Sequence, residues 1–445
     1  MSMFRNLMSI PTESGPDTFI CKIKNTDSEA VTPYIAFPVR SAYAGIPSIT
    51  ATIETSSGQS QTLTITGTDL TTKNDNGANK LGRIEYFSSV SMAQDETATI
   101  TLYSKSKQFP SFSFCSSFLN NYWAKNARLY EVNTPLPVFV DGYCGSVLIN
   151  SLLTSLPNDL FQYGGSIKEL VHTFDYSSLV SVPEGLFNGL SKVTKAVYLF
   201  SHNNNLTTLP ANLFSGMPEV TDLSYCLASC TALTSVPEGL FDGVTKVTDL
   251  HNMFNYCTSL TSIPEGLFNG MTEVTDLQSM FANCINLKSI PEGLFSGMTE
   301  VTNLQSMFSY CTSLTSIPAG LFSEMTKVTM VRYCFRGCTS LTSIPAALFR
   351  EQINATNFYY CFYGVPAKVI HPNIFCNEAT EKTTRFANVT PNFSDCFSNL
   401  AGEVAGTAPA LWEYTYKAEP TKKGCFSNNS TTTLSNYGDI PTEWK

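Results

Sequence analysis

The side chains able to do chemistry in this 445-residue chain are few. The four histidines, His172, His202, His251 and His371, stand in dissimilar surroundings. None belongs to an H-E-x-x-H or other metal-ligand spacing, and no G-x-S-x-G, P-loop or dinucleotide fingerprint occurs. Carboxylates recur more regularly: Asp222, Asp249 and Asp276 are 27 residues apart, as are Glu265 and Glu292. Two carboxylates held roughly 5–10 Å apart can hydrolyse a glycosidic bond, so an enzyme would have to be built on these. Their fixed spacing points instead to solvated turn and strand positions, visited once per structural unit. The expectation is no catalytic residue, no metal ligand and no cofactor, with a carbohydrate-active enzyme as the least favoured reading.

The elements that would position such residues follow from an internal period. Nine prolines from Pro157 to Pro372 are separated by 26 residues once and by 27 seven times. A branched aliphatic residue precedes each of the first eight, and Leu-Phe follows three and four residues later, as in Ile263-Pro264 and Leu267-Phe268. A Val column (Val247, Val274, Val301) and a Met/Cys column (Met253, Met280, Met307, Cys334) keep the same register, beside Phe254, Phe281 and Phe308. A unit of this size cannot bury its own apolar face, so it must stack on its neighbours and turn each column into a ladder. Gly266 and Gly270 supply turn geometry. The alternation at the start of "VTDLQSMF" reads as a short half-exposed strand. Cys230, Cys257, Cys284, Cys311 and Cys338 follow the period too, and are expected as buried free thiols.

In "VTDLQSMFANCINLKSIPEGLF" the columns Val274, Leu277, Met280, Phe281, Cys284 and Leu287 resemble the BspA-like class of leucine-rich repeats. The resemblance covers roughly residues 130–380 and departs from the commonest pattern in the "IPEGLFxGM" segment. It implies a right-handed solenoid of short parallel strands, a surface or adhesion role, and no catalytic residues to carry over. Such proteins are common in gut bacteria, their phages and some protists.

The organisation expected is an all-β sandwich or barrel over 1–105, an aromatic junction over 106–130 that includes Trp123, and a leucine-rich-repeat solenoid of about nine coils over 131–384. A C-terminal cap over 385–445 follows, anchored by Trp412 and Trp444. Six β-rich runs in the first 105 residues, separated by Gly, Asn, Asp and Ser clusters, carry the first assignment.

Binding residues are sought where variable columns lie between fixed ones. Alternation places Tyr225, His251, Arg332, Tyr333, Tyr359 and Tyr360 on one exposed strip, with Tyr256, Tyr310, Arg336 and Tyr363 just beyond the Phe column. Tyr, Arg and His beside Asn and Ser is the palette of binding surfaces. These ten residues are the candidate ligand contacts, for a protein or cell-surface glycan.

Charge narrows the partners. The chain carries 27 basic and 36 acidic residues, net −9, with no run of Lys or Arg, so nucleic acid is not expected. No apolar stretch approaches a membrane span, and the N-terminus lacks the apolar core of a secretory signal. The reading favoured is a non-enzymatic recognition or adhesion protein with an attachment partner for its N-terminal β region. A phage virion fibre or decoration component at the virion surface is its first form. A bacterial or protist cell-surface adhesin is the second, and a cytoplasmic location the alternative to both. No heptads support an oligomer.

Overall fold

The structure is a computed structural model that describes residues 18–26, 30, 34–38, 48–65, 83–87, 91–104, 106, 107, 109, 112, 128–139, 142–366, 368, 370–400, 406–429 and 434–445. The chain divides into two compact units, 1–178 with 185–193, and 179–184 with 194–445.

In the first unit each β-rich run of the sequence holds a strand. These are β1 (Thr18–Lys24), β2 (Tyr34–Pro38), β3 (Ile49–Thr55), β4 (Ser60–Ile65), β5 (Arg83–Phe87) and β6 (Thr97–Ser104). A seventh, β7 (Arg128–Val132), closes a five-stranded antiparallel sheet in the order β4-β3-β6-β1-β7, while β2 and β5 pair separately. Alternation decides which face is covered: Phe19, Cys21 and Ile23 of β1 are buried, as are Ile49, Ala51 and Ile53 of β3 and Ala98, Ile100 and Leu102 of β6. Phe112 packs on Phe19 at 5.4 Å and on Phe139 at 5.8 Å, extending that core. How the two sheets face each other rests on side chains of β2 and β5, which lie outside the described residues, as do Trp123 and most of the junction.

Two expected boundaries are corrected. β7 straddles the division placed at 130, because its backbone pairs with β1 across a bulge at Lys22/Ile23. The unit holding the sheet then continues to residue 178 instead of ending at 105.

In the second unit successive coils lie in register. Isolated parallel bridges join Lys195, Asp222, Asp249, Asp276, Asn303, Met330 and Asn357, each to the next. The Phe column stacks along the same series: Phe254–Phe281 at 5.5 Å, Phe281–Phe308 at 5.6 Å and Phe308–Phe335 at 5.6 Å, all fully buried. A second stack, Phe241–Phe268–Phe295, is spaced at 5.9 and 6.0 Å. Gly266 and Gly270 take φ of +72° and +82°, values that side-chain-bearing residues reach at a cost.

The short parallel strands expected here are replaced by chained turns. The amides of Leu250, Asn252, Phe254 and Tyr256 donate to Asp276, Gln278, Met280 and Ala282 of the next coil at 2.8–3.1 Å. Those between them close turns within the coil, Met253 to Leu250, Asn255 to Asn252 and Cys257 to Phe254, at 3.1–3.2 Å. Alternate donors thus serve the neighbour and the coil itself, which satisfies the backbone without a continuous strand.

The ladder also crosses the boundary expected at 385. Asn357 bridges Asn392, which bridges Thr421, and Phe362, Phe397 and Phe426 continue the ring stack at 5.4 Å spacing. The register is kept by lengthening coils, from 27 residues to 35 and then 29. Arg385 is buried there and donates through one terminal nitrogen to the carbonyls of Phe349 and Gln352, at 2.8 and 2.9 Å. Burial pulls its pKa down to about 10, so the guanidinium stays charged at neutral pH. Trp412 meets the last ring of the stack, Phe426, at 6.5 Å, and the buried Trp444 accepts the Phe426 amide on its carbonyl at 3.0 Å. Both anchoring tryptophans therefore lie at the end of the Phe column.

Candidate functional site

The surface column is built by a side-chain cap that opens each set of turns. Asp222, Asp249, Asp276, Asn303, Asn357 and Asn392 each accept, through a side-chain oxygen, the amide two residues on, at 2.8–3.1 Å. This is the Asx-turn, in which a short polar side chain stands in for a backbone carbonyl. It accounts for the recurring aspartates, since Asn serves equally in later coils and no charge is required.

The turn that follows demands a left-handed residue. Three residues after these caps stand Tyr225, Asn252, Ser279, Ser306, Tyr360 and Asp395, and Tyr333 holds the same place after Met330, all with φ between +51° and +60°. Four residues on, Ser229, Tyr256, Asn283, Tyr310, Gly337 and Gly364 repeat it, with φ from +58° to +73°. The candidate residues thus reach the surface through turn geometry and not through the period-two alternation inferred from sequence.

Seven of the ten candidates come together over three successive coils. The guanidinium carbon of Arg336 lies 5.1 Å from the ring centre of Tyr310, 5.4 Å from Tyr333, and 5.5 Å from both Tyr360 and Tyr363. Tyr359 abuts Tyr360 edge-on at 4.3 Å and Tyr333 at 5.4 Å. Arg332 donates its Nε–H to Gln305 Oε1 at 2.6 Å. Each cation–π contact is worth about 0.5–1 kcal/mol at an exposed site, so the rings and the cation hold one another in place. Partial burial pushes the Tyr333 phenol up, with Tyr359 beside it adding and Arg336 opposing. The Tyr359 phenol is likewise raised, by partial burial and its hydrogen bond to Tyr360.

Gly337 belongs to this cluster although its sequence gives no chemical hint. A Cβ there would stand 2.7 Å from Cδ1 of Tyr310, so the missing side chain is the seat on which that ring rests. Gln305, which fixes Arg332, is the other member outside the ten candidates.

Two of the remaining candidates form a second cluster. Tyr225 meets His251 edge-on at 5.0 Å and stacks on Tyr198 at 4.2 Å. Tyr198 stands 27 residues before Tyr225, and that spacing was the signal that would have found it. His251 Nδ1 pairs with Asp249 Oδ1 at 2.6 Å; this bond raises the imidazole pKa, while partial burial opposes it. Tyr256 is 53% exposed and joins neither cluster. Among the described residues no group of His, Cys, Asp or Glu is placed to hold a metal ion. No helix among them is long and apolar enough to cross a membrane.

A family model described as "Mycoplasma protein of unknown function, DUF285" matches residues 168–294 and 221–348, a span of less than half the chain. No curated protein matches. Among solved structures, a TLR13–ssRNA13 complex is 15% identical with a TM-score of 0.21, over 58% of this chain and 43% of that one. The chain thus spans under half the length of the TLR13 chain. A leucine-rich cell surface protein from Faecalibacterium prausnitzii A2-165 is 18% identical with a TM-score of 0.15, over 48% of this chain and 76% of that one. Overlays this loose carry no functional argument. What the comparisons give is a likeness of the central repeats, residues 168–348, to the DUF285 family.

Proposed function

We propose that the chain is a non-enzymatic recognition protein of the leucine-rich-repeat type, whose stacked coils present the tyrosine–arginine cluster to a protein or glycan at a surface. The observation that carries this reading is Arg336 held among four tyrosine rings at 5.1–5.5 Å. Tyr and Arg are the residues most often found at the energetic centres of interfaces. The repeated carboxylates, which a hydrolase would need, cap turns instead.

The finer form of the reading is a BspA-like solenoid of about nine coils, attached to a larger body through its N-terminal strands. Its first setting is a phage virion, as a fibre or decoration component, and its second a bacterial or protist cell surface. Genes for capsid, portal or tail proteins beside this one support the first setting; their absence there supports the second.

The decisive experiment replaces Tyr333, Tyr359 and Tyr360 with Ala and measures binding to whole cells and to a glycan array. Binding lost with the melting transition intact supports the surface. Binding retained with the fold intact removes it.

A further inference from the structure

The geometry points to a sugar bearing an anionic group, carboxylate or sulfate, as the ligand of the tyrosine–arginine cluster; this rests on the recognition reading above and names its ligand class. Charge is the first reason. Arg332 and Arg336 form no ion pair among the described residues; Arg332 bonds Gln305 and lies close enough to Tyr333 to oppose the rise that partial burial gives its phenol pKa, and Arg336 faces tyrosine rings. The buried Nε of Arg336 meets no acceptor, and its terminal nitrogens, which are not buried, meet none either. Asp395 is the carboxylate felt in the cluster, acting on Tyr359 as a minor influence. Two cations four residues apart, one with its fork framed by aromatic rings, are thus left without an ion-pair partner. Charge-assisted bonds to carboxylate or sulfate oxygens are what such a fork makes best.

Size is the second reason. The seven residues occupy three coils, which at a strand-like spacing of about 4.8 Å spans roughly 10 Å, the breadth of one or two sugar rings. A stable protein interface needs about 800 Å² per partner and some 20–30 residues on each side. The cluster is too small for that and the right size for a terminal sugar.

The third reason is where the charge sits. The whole chain is −9, so an acidic protein would meet repulsion from the rest of the surface. A single anionic sugar feels little beyond the screening length of about 8 Å in physiological salt, and so responds to the two arginines, with Asp395 a weaker opposing charge, and not to the net charge of the chain. The phenol faces complete the recognition by packing against the apolar face of the sugar ring, and their neutral hydroxyls can donate to its oxygens.

The test compares lactose, 3′-sialyllactose, sulfated lactose and a poly-glutamate peptide by titration calorimetry, with wild type, Arg336→Gln, Arg336→Lys and Arg332→Gln. The expected result is that one or both anionic forms bind about tenfold or more tighter than lactose, the loss typical of a charge-assisted hydrogen bond. Arg336→Gln should abolish the difference and Arg336→Lys should restore part of it. If Arg336→Gln fails to fold, Arg332→Gln and the weakening of sialyllactose binding with added salt carry the same test. Equal binding of lactose and its anionic forms overturns the ligand class, as does preference for the peptide or no binding by any sugar at millimolar concentration. In each of those cases the recognition surface itself still stands or falls by the triple tyrosine variant, so the two failures are distinguishable.

Discussion

The thiol of Cys284 donates a hydrogen bond to the backbone carbonyl of Phe254 in the preceding coil, 3.1 Å away. The same bond recurs from Cys257 to Leu227, from Cys311 to Phe281 and from Cys338 to Phe308, each at 3.1 Å. A cysteine in this column therefore fills core space and reaches across to its neighbour, which explains its persistence at a 27-residue interval without a disulfide or metal.

Replacing Cys284 with Ala should cost about 1–3 kcal/mol, because a buried carbonyl loses its donor and a small void opens. Cys284→Ser, which keeps a donor, should cost less. Urea unfolding of both variants measures the difference, and an Ala variant as stable as wild type would show the bond to be idle.

The same burial governs reactivity. It pushes the Cys257 and Cys338 thiols up to about 12, and those of Cys284 and Cys311 are raised by the same cause. Because the thiolate is the nucleophile, these cysteines should be inert to a thiol reagent at pH 8 in the native state and should react once urea unfolds the chain. Fast labelling of the native protein at these positions would contradict the stacked core.

Phe281 is fully buried between Phe254 and Phe308. Phe281→Ala should destabilise by about 3–5 kcal/mol, the usual cost of removing a core aromatic ring. Loss of both stacking contacts adds to the burial cost. Calorimetry of the variant should show a lower melting temperature or a separated transition for the coils around it.

The turns offer a change in the opposite direction. Ser279 and Ser306 sit at φ of +53° and +57°, where a side chain is strained and glycine is not. Ser306→Gly should be neutral or stabilising by up to about 1 kcal/mol, since relief of strain outweighs the entropy that glycine adds to the unfolded chain. Gly337→Ala should do the reverse and also displace the Tyr310 ring. Melting temperatures of the two variants, with binding measured for the second, check both statements.

His251 gives a pH dependence of defined sign. Its bond to Asp249 raises the imidazole pKa in the folded protein. The stabilisation is fully present below the unfolded value of about 6.5 and is lost as pH rises through the folded value. Asp249→Asn keeps the turn cap, because Asn fills that role at 303, 357 and 392. The variant should therefore differ from wild type in urea stability at pH 5.5 more than at pH 9, and NMR titration should show a lower His251 pKa. Equal pKa values in the two proteins would refute the pairing.

Much of this was legible in the sequence because stacking forces columns to repeat. The burial of Phe254, Phe281 and Phe308, and the six β runs of the first unit, follow from period and alternation alone. The chained turns were not legible because Tyr225, Ser279 and Tyr333 are not residues that announce a left-handed backbone. The hint lay in the columns they share: Asn252 falls in one, and Asn283, Gly337 and Gly364 fall in the other, and Asn and Gly are the residues that tolerate positive φ. The clustering of Arg336 with tyrosines from the coils on either side is a lateral relationship between units, visible only once the 27-residue register is laid side by side. The last coils hid their register by changing length, so Asn392 and Thr421 looked unrelated to Asn357.

The alternating amide donors between coils have a consequence for how such a gene can change. From the coil of Asp222 to that of Asn392, each coil donates to the next in the same alternating pattern in which it accepts from the one before. Excising residues 258–284 as one block therefore brings matching faces together, with Cys257 then followed by Ile285 in the place that Thr258 held. Unequal recombination can lengthen or shorten the array by whole units while the arginine-bearing coil and its two flanking coils travel intact. Array length can therefore change in steps of one coil without a new stacking solution at each step.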